Sequence, residues 1–168
     1  MARFVTIMMG SDSDLPLVEN TINVLKSFAI ETRVRVASAH RTPDEAAAIV
    51  QQAEAEGCQV FICAAGLAAH LAGAVAARTT RPVIGIPVDG GPLNGVDALY
   101  STVQMPGGIP VATVAIGKAG AKNAGFLAAQ IMALSDPELD AKVKADRKQA
   151  VAAVVAKDKA LQDKLNAQ

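Results

Sequence analysis

Five short runs rich in Val, Ile, Ala and Met recur along the chain, and helically patterned stretches separate them. This alternation constrains the fold more than any other feature. The runs are Phe4–Met9, Thr32–Ala37, Gln59–Ala64, Pro82–Val88 and Pro110–Ile116. Most are near-continuously apolar, as parallel strands covered on both faces should be. The spacing predicts helices over Leu15–Phe28, Pro43–Glu56, Ala68–Thr79, Asp97–Gln104 and Ala119–Leu134. Strand and helix in alternation imply the α/β class: a three-layer α/β/α domain around a central parallel sheet, flavodoxin-like or Rossmann-like, with right-handed crossovers. The runs do not set the strand order.

After Ser135-Asp136-Pro137-Glu138 the chain turns to Ala, Lys, Asp and Val, without Gly or Pro, as far as residue 165. That predicts one long helix, capped by Ser135 or Asp136 with Pro137 in its first turn. Leu139, Val143, Ala150, Val154 and Leu161 form a weak apolar stripe on it. The expected organisation is an α/β domain over 1–135 and a C-terminal helical extension of it over 136–168. The extension packs on another subunit, or else lies on its own domain or frays at its end.

At 168 residues the chain is long enough for one full core. Aromatics are only 3% of it, so that core must be aliphatic. Sixteen basic residues balance sixteen acidic ones, which gives no electrostatic reason to expect a nucleic acid or an anionic membrane as partner. No stretch approaches about 18 uninterrupted apolar residues. Met1-Ala2-Arg3-Phe4-Val5 runs into a strand without signal-peptide organisation, so a soluble, cytoplasmic protein is expected. Cys58 and Cys63 lack the spacing of a metal or redox pair and are expected to be buried free thiols.

Chemistry gathers where the first three strands end. Ser38-Ala39-His40-Arg41-Thr42-Pro43 sets a proton-transfer group beside a permanent cation at a strand-to-helix junction. Thr42, Pro43 and Glu45 fit a capping box. Such a pair at the carboxyl edge of an open sheet suits acid–base work on an anion, although a loop histidine and arginine also occur as plain surface residues. Upstream, Gly10-Ser11-Asp12-Ser13-Asp14 precedes a helix with Pro16 in its first turn. Ser11, Ser13 and the free N–H groups of that helix suit a phosphate. Asp14 would repel phosphate, so it either caps the helix or bonds vicinal ribose hydroxyls. The third strand ends in Ala64-Ala65-Gly66-Leu67-Ala68-Ala69-His70, where small residues admit a planar ligand. His70 is expected in the first helical turn, as a neutral hydrogen-bonding group disfavoured as a cation by the macrodipole. The segment Gln104–Pro110 is either a loop that closes over a site or an ordinary connection.

Rival α/β readings fail on particular residues. A receiver domain needs an aspartate where Ala64-Ala65-Gly66 stands, and a flavodoxin needs aromatic rings where this chain has one Tyr and no Trp. Neither G-x-G-x-x-G after the first strand nor G-x-x-x-x-G-K-[ST] occurs. No His, Cys or carboxylate cluster has metal-ligand spacing. Acid–base chemistry without a metal or cofactor is the expectation.

Taken together, four blocks resemble the N5-carboxyaminoimidazole ribonucleotide mutase family, class I PurE, the catalytic subunit of phosphoribosylaminoimidazole carboxylase. They are Met9–Asp14, Ser38–Pro43, Ala68–Leu71 and Gln104–Gly107, in the family's order, and the resemblance runs from about Arg3 to Leu134. It implies an isomerase of purine biosynthesis that moves a carboxylate from the exocyclic nitrogen of an aminoimidazole ribonucleotide to ring carbon C4. Decarboxylation and recarboxylation carry the transfer, and His40 shuttles the proton. The phosphate falls to Ser11 and Arg41 with Ser13 and Ser38 in support, and the ribose to Asp14. Ala39, Gly66, Leu67 and His70 complete the implied substrate site, with no metal and no cofactor. Leu67 and Ala72 depart from the family's Gly-Gly-Ala-Ala-His-Leu-Pro-Gly run, at the implied CO2 pocket. Arg41 favours the mutase over the branch that carboxylates the aminoimidazole directly with CO2, which carries Lys after the histidine. A non-catalytic nucleotide-binding module is the third reading. The resemblance also implies a homo-octamer, with the C-terminal helix at a subunit interface, and a functional link to an ATP-dependent N5-carboxyaminoimidazole ribonucleotide synthetase.

Overall fold

A computed structural model describes residues 3–167 of the chain. Residues 1, 2 and 168 of the expected organisation lie outside the described residues. The described residues group into two compact units, one up to residue 129 and one from residue 130.

The first unit is built on a five-stranded parallel sheet of β1 (Phe4–Met9), β2 (Glu31–Val36), β3 (Cys58–Ala65), β4 (Val83–Pro87) and β5 (Ala112–Thr113). Its order is β2-β1-β3-β4-β5, the flavodoxin-like arrangement. Helices α1 (Leu15–Ser27), α2 (Pro43–Ala55), α3 (Leu71–Ala76), α4 (Val96–Val103) and α5 (Gly117–Ala133) make the connections. Alternation along each strand divides the side chains between two faces. Phe4, Met8, Phe61 and Cys63 join Ile49 and Val50 of α2 and Leu71 and Val75 of α3 in one buried cluster. On α1, the Thr21 hydroxyl donates to the Ala121 carbonyl of α5 at 2.7 Å, and Phe28 meets Phe126 edge-on at 5.8 Å. Cys58 and Cys63 are free and buried, as expected.

Burial explains which strands the sequence marks well. β1, β4 and all but two residues of β3 are buried, so they read as apolar runs. β2 lies at an edge and carries Glu31, Arg33 and Arg35, and charge on an edge strand discourages pairing with another chain. Arg33 stacks on the Phe4 ring at 3.7 Å and pairs with Glu31 and Glu56. The fifth strand is shorter than its apolar run. Ala112 and Thr113 pair with β4 in register, and Pro110 just before them has no N–H to give. The third helix is shorter too: Leu67 is left-handed and the Ala69 N–H donates to the Leu67 carbonyl, so residues 67–70 form a turn and not helix.

The second unit contains α6 (Pro137–Asn166). Of the two expected caps, Asp136 does the work: its carboxylate accepts from the Leu139 N–H at 3.0 Å, and Pro137 opens the helix. Val151, Val154, Val155, Leu161 and Leu165 of α6 are exposed. Among the described residues, no helix is long and apolar enough to cross a membrane.

Candidate functional site

The sheet order reverses direction between β1 and β3, and loops leaving neighbouring strands there diverge to opposite faces and open a crevice. Hydrogen bonding continues one step past the strands. Gly10 N–H donates to the Ala64 carbonyl, Ala37 N–H to Met9, and Val88 N–H to Ala65. The loop roots are therefore rigid, and a cleft of about 370 Å³ lies among them.

The loop after β1 is tied to itself. Ser11 Oγ accepts from the Ser13 N–H at 3.3 Å and from the Ser13 hydroxyl at 2.8 Å, and donates to Asp12 Oδ1 at 3.3 Å. Asp14 occupies the N-cap position of α1, yet its side chain makes no capping hydrogen bond. Of its two expected roles, capping is thus excluded by the geometry. Burial pushes the Asp14 carboxyl above its usual pKa, and Asp12 adds to the rise. Hydrogen bonds from the Ser11 backbone and the Ser13 side chain oppose both without cancelling them.

The loop after β2 is closed by an interlock of Ser38 and Thr42. Thr42 Oγ1 accepts from the Ser38 N–H at 2.9 Å and donates to the Ser38 carbonyl at 3.2 Å. The Thr42 N–H also reaches that carbonyl, and the Arg41 N–H donates to Ser38 Oγ at 3.2 Å. The expected capping box therefore does not form. Thr42 stands at the N-cap of α2, but its hydroxyl is committed to Ser38 and caps nothing. The consequence is a pinned turn, with Ala39 and His40 bulging from it into the cleft and Arg41 beside them. Arg41 takes part in none of the ion pairs formed among the described residues.

From β3 come Gly66, Leu67 and His70. His70 is the N-cap residue of α3, one position earlier than the expected first turn, and its side chain does not cap. Its ring meets that of His40 edge-on, 5.3 Å between centroids. The cleft thus gathers Ser11, Ser13, Asp14, Ser38, Ala39, His40, Arg41, Gly66, Leu67 and His70, all ten residues singled out from the sequence.

Two further segments lie outside the cleft. Ala72 is buried in α3, near Gly85 of β4, and does not line the cleft. The Gln104–Pro110 segment lines no part of it either; Met105 sits against Gly73 of α3, and the rest of the loop is exposed. The sequence reading missed Val88, Gly90 and Gly91, which line the cleft from the end of β4. Gly90-Gly91-Pro92 after a predicted strand was the available signal, since ligands gather at carboxyl ends of neighbouring strands.

Chemically, the cleft offers an unpaired guanidinium and three serine hydroxyls for an anion, a carboxylate for hydroxyl groups, and two imidazoles face to edge. A model of the AIR carboxylase family matches residues 4–153 of the chain. The N5-carboxyaminoimidazole ribonucleotide mutase of Thermotoga maritima is 53% identical over 83% of this chain and 81% of its own. The mutase of Synechocystis is 57% identical over 83% and 78%, and that of Vibrio vulnificus 47% identical over 95% and 99%. The crystal structure of Treponema denticola PurE superposes with a TM-score of 0.85 at 32% identity, covering 93% of this chain and 96% of that one.

Proposed function

The chain belongs to the AIR carboxylase family, and from that premise we propose how it works as an N5-carboxyaminoimidazole ribonucleotide mutase, an isomerase of purine biosynthesis. The observation that carries the reading is the cleft at the sheet's switch point, where His40 and His70 meet beside an unpaired Arg41.

Arg41 and Ser11 hold the substrate phosphate, with Ser13 and Ser38 in support. Asp14, not used as a cap, accepts from the ribose hydroxyls. Ala39 and Gly66 present little side chain, so the imidazole ring lies close to backbone there. His40 then runs both proton transfers. It protonates the exocyclic nitrogen as the carbamate C–N bond breaks, releasing CO2 and leaving the aminoimidazole. C4 attacks the CO2 carbon, a new C–C bond forms, and His40 takes the C4 proton as ring aromaticity returns. The proton given first is recovered last, so nothing else is consumed. Imidazole suits this because it both gives and takes a proton near neutral pH. Holding CO2 against C4 makes the recombination intramolecular. His70, edge-on to His40, is a hydrogen-bonding partner for the substrate carboxylate.

The working assembly is a homo-octamer in the cytoplasm, with α6 at a subunit interface. The substrate comes from an ATP-dependent synthetase that carboxylates the exocyclic nitrogen. The test is conversion of the purified carbamate ribonucleotide without ATP, which should yield 4-carboxy-5-aminoimidazole ribonucleotide. Turnover only of the aminoimidazole with CO2 or bicarbonate would make the enzyme a direct carboxylase. Ribonucleotide binding with neither reaction would make it a binding module.

A further inference from the structure

The loop after β3 holds Leu67 in the left-handed region, at φ +56°, where glycine alone is at ease. The side chain kept there is apolar, 55% exposed, and part of the cleft lining. Its far end lies across Gly91, so closely that a Cβ built on Gly91 would stand 2.5 Å from Leu67 Cδ2. Gly91 is itself at φ +78°, in the connection between β4 and α4, and lines the same cleft as its neighbour Gly90. A strained leucine therefore bridges two cleft loops, resting on the one residue type that leaves it room. Glycine at position 67 would relieve the backbone and lose the bridge. Strain kept at a site calls for a function for the side chain that causes it.

We propose that Leu67 is a positioning residue that fastens the glycine loop after β4 to the loop after β3 and so seals the cleft while CO2 is free. This rests on the mutase reading. Between C–N cleavage and C–C formation CO2 has no covalent tether, and an apolar bridge between two loops keeps it in and water out.

The test compares wild type, Leu67→Gly and Leu67→Met. Two quantities are read: aminoimidazole ribonucleotide released per carboxylated product formed, and amide exchange over residues 90–95. Leu67→Gly should keep a Tm at or above wild type. It should raise the released fraction about fivefold or more and speed exchange in the 90–95 loop. Leu67→Met, which restores the reach of the side chain, should return both toward wild type. An unchanged released fraction in Leu67→Gly overturns the proposal, and so does a Leu67→Met variant as leaky as the glycine one. A wild type that cannot convert the carbamate at all removes the mutase reading instead. The exchange comparison then still decides whether Leu67 fastens the loop, and equal exchange in wild type and Leu67→Gly overturns it.

Discussion

Asp14 shows how a single side chain can be worse for the fold than for the reaction. Its folded-state pKa lies above the usual 3.8, with burial the main cause. Just above 3.8 the folded chain therefore holds more protons than the unfolded one, and stability falls as pH rises through that window. At pH 7 the ionised carboxylate is a standing cost that Asp14→Asn removes. The variant should melt at or above the wild-type temperature at pH 7, with the difference shrinking as pH is lowered toward 3.8. Its KM for the ribonucleotide should rise about tenfold, the loss of about 1.4 kcal/mol of binding. A Tm several degrees below wild type would show that Asp14 supports the fold instead. Arg41→Lys should also raise KM about tenfold, because a point charge does not replace a planar two-pronged donor; unchanged affinity for the ribonucleotide monophosphate would remove Arg41 from the phosphate site. Residue types were legible here wherever chemistry demanded them, as with His40 and Arg41. What side chains do with their hydrogen bonds was not: Thr42 looks like a cap in sequence, and only the folded turn shows its hydroxyl spent on Ser38.

At the level of elements, the sequence is most legible where burial is complete. β1, β3 and β4 match their apolar runs to within a residue, since a strand covered on both faces must be apolar throughout. Legibility fails where pairing or a turn decides the limit. β5 keeps two residues of an apolar run that starts at Pro110, and α3 begins late because Leu67 turns the chain. Ala72 stood out because it departs from the family's run, and helical geometry turns it into the core under α3. The Ser38–Thr42 interlock, which belongs to neither strand nor helix, is the element that aims His40. Thr42→Val keeps the volume and loses both hydroxyl hydrogen bonds, so it should cost about 1–2 kcal/mol of stability. It should also lower kcat about tenfold with KM nearly unchanged, as expected of an interaction that positions a group in the transition state. Equal losses in binding and turnover would mean the turn serves the substrate directly.

For the whole molecule, the alternation of strands and helices was enough for a three-layer parallel fold, and the order β2-β1-β3-β4-β5 adds what alternation leaves open. That order brings the ends of β1, β2, β3 and β4 around one crevice, and so joins residues as distant in sequence as Ser11 and Gly91. Sequence reading could nominate each loop but not their meeting. The exposed valines and leucines of α6 fit a helix that meets another subunit. Light scattering should give a particle of about eight chain masses, and a monomer would contradict the proposed assembly. The claim that joins all three scales is that one imidazole, aimed by a pinned turn at a switch-point cleft, moves the only proton the reaction needs. Its most direct measurement is ATP-free conversion of the carbamate ribonucleotide by wild type and His40→Asn, with ligand affinity measured alongside. Wild type should convert the carbamate, and the variant should bind it unchanged with turnover reduced on the order of a thousandfold or more. Wild-type turnover in His40→Asn would contradict it.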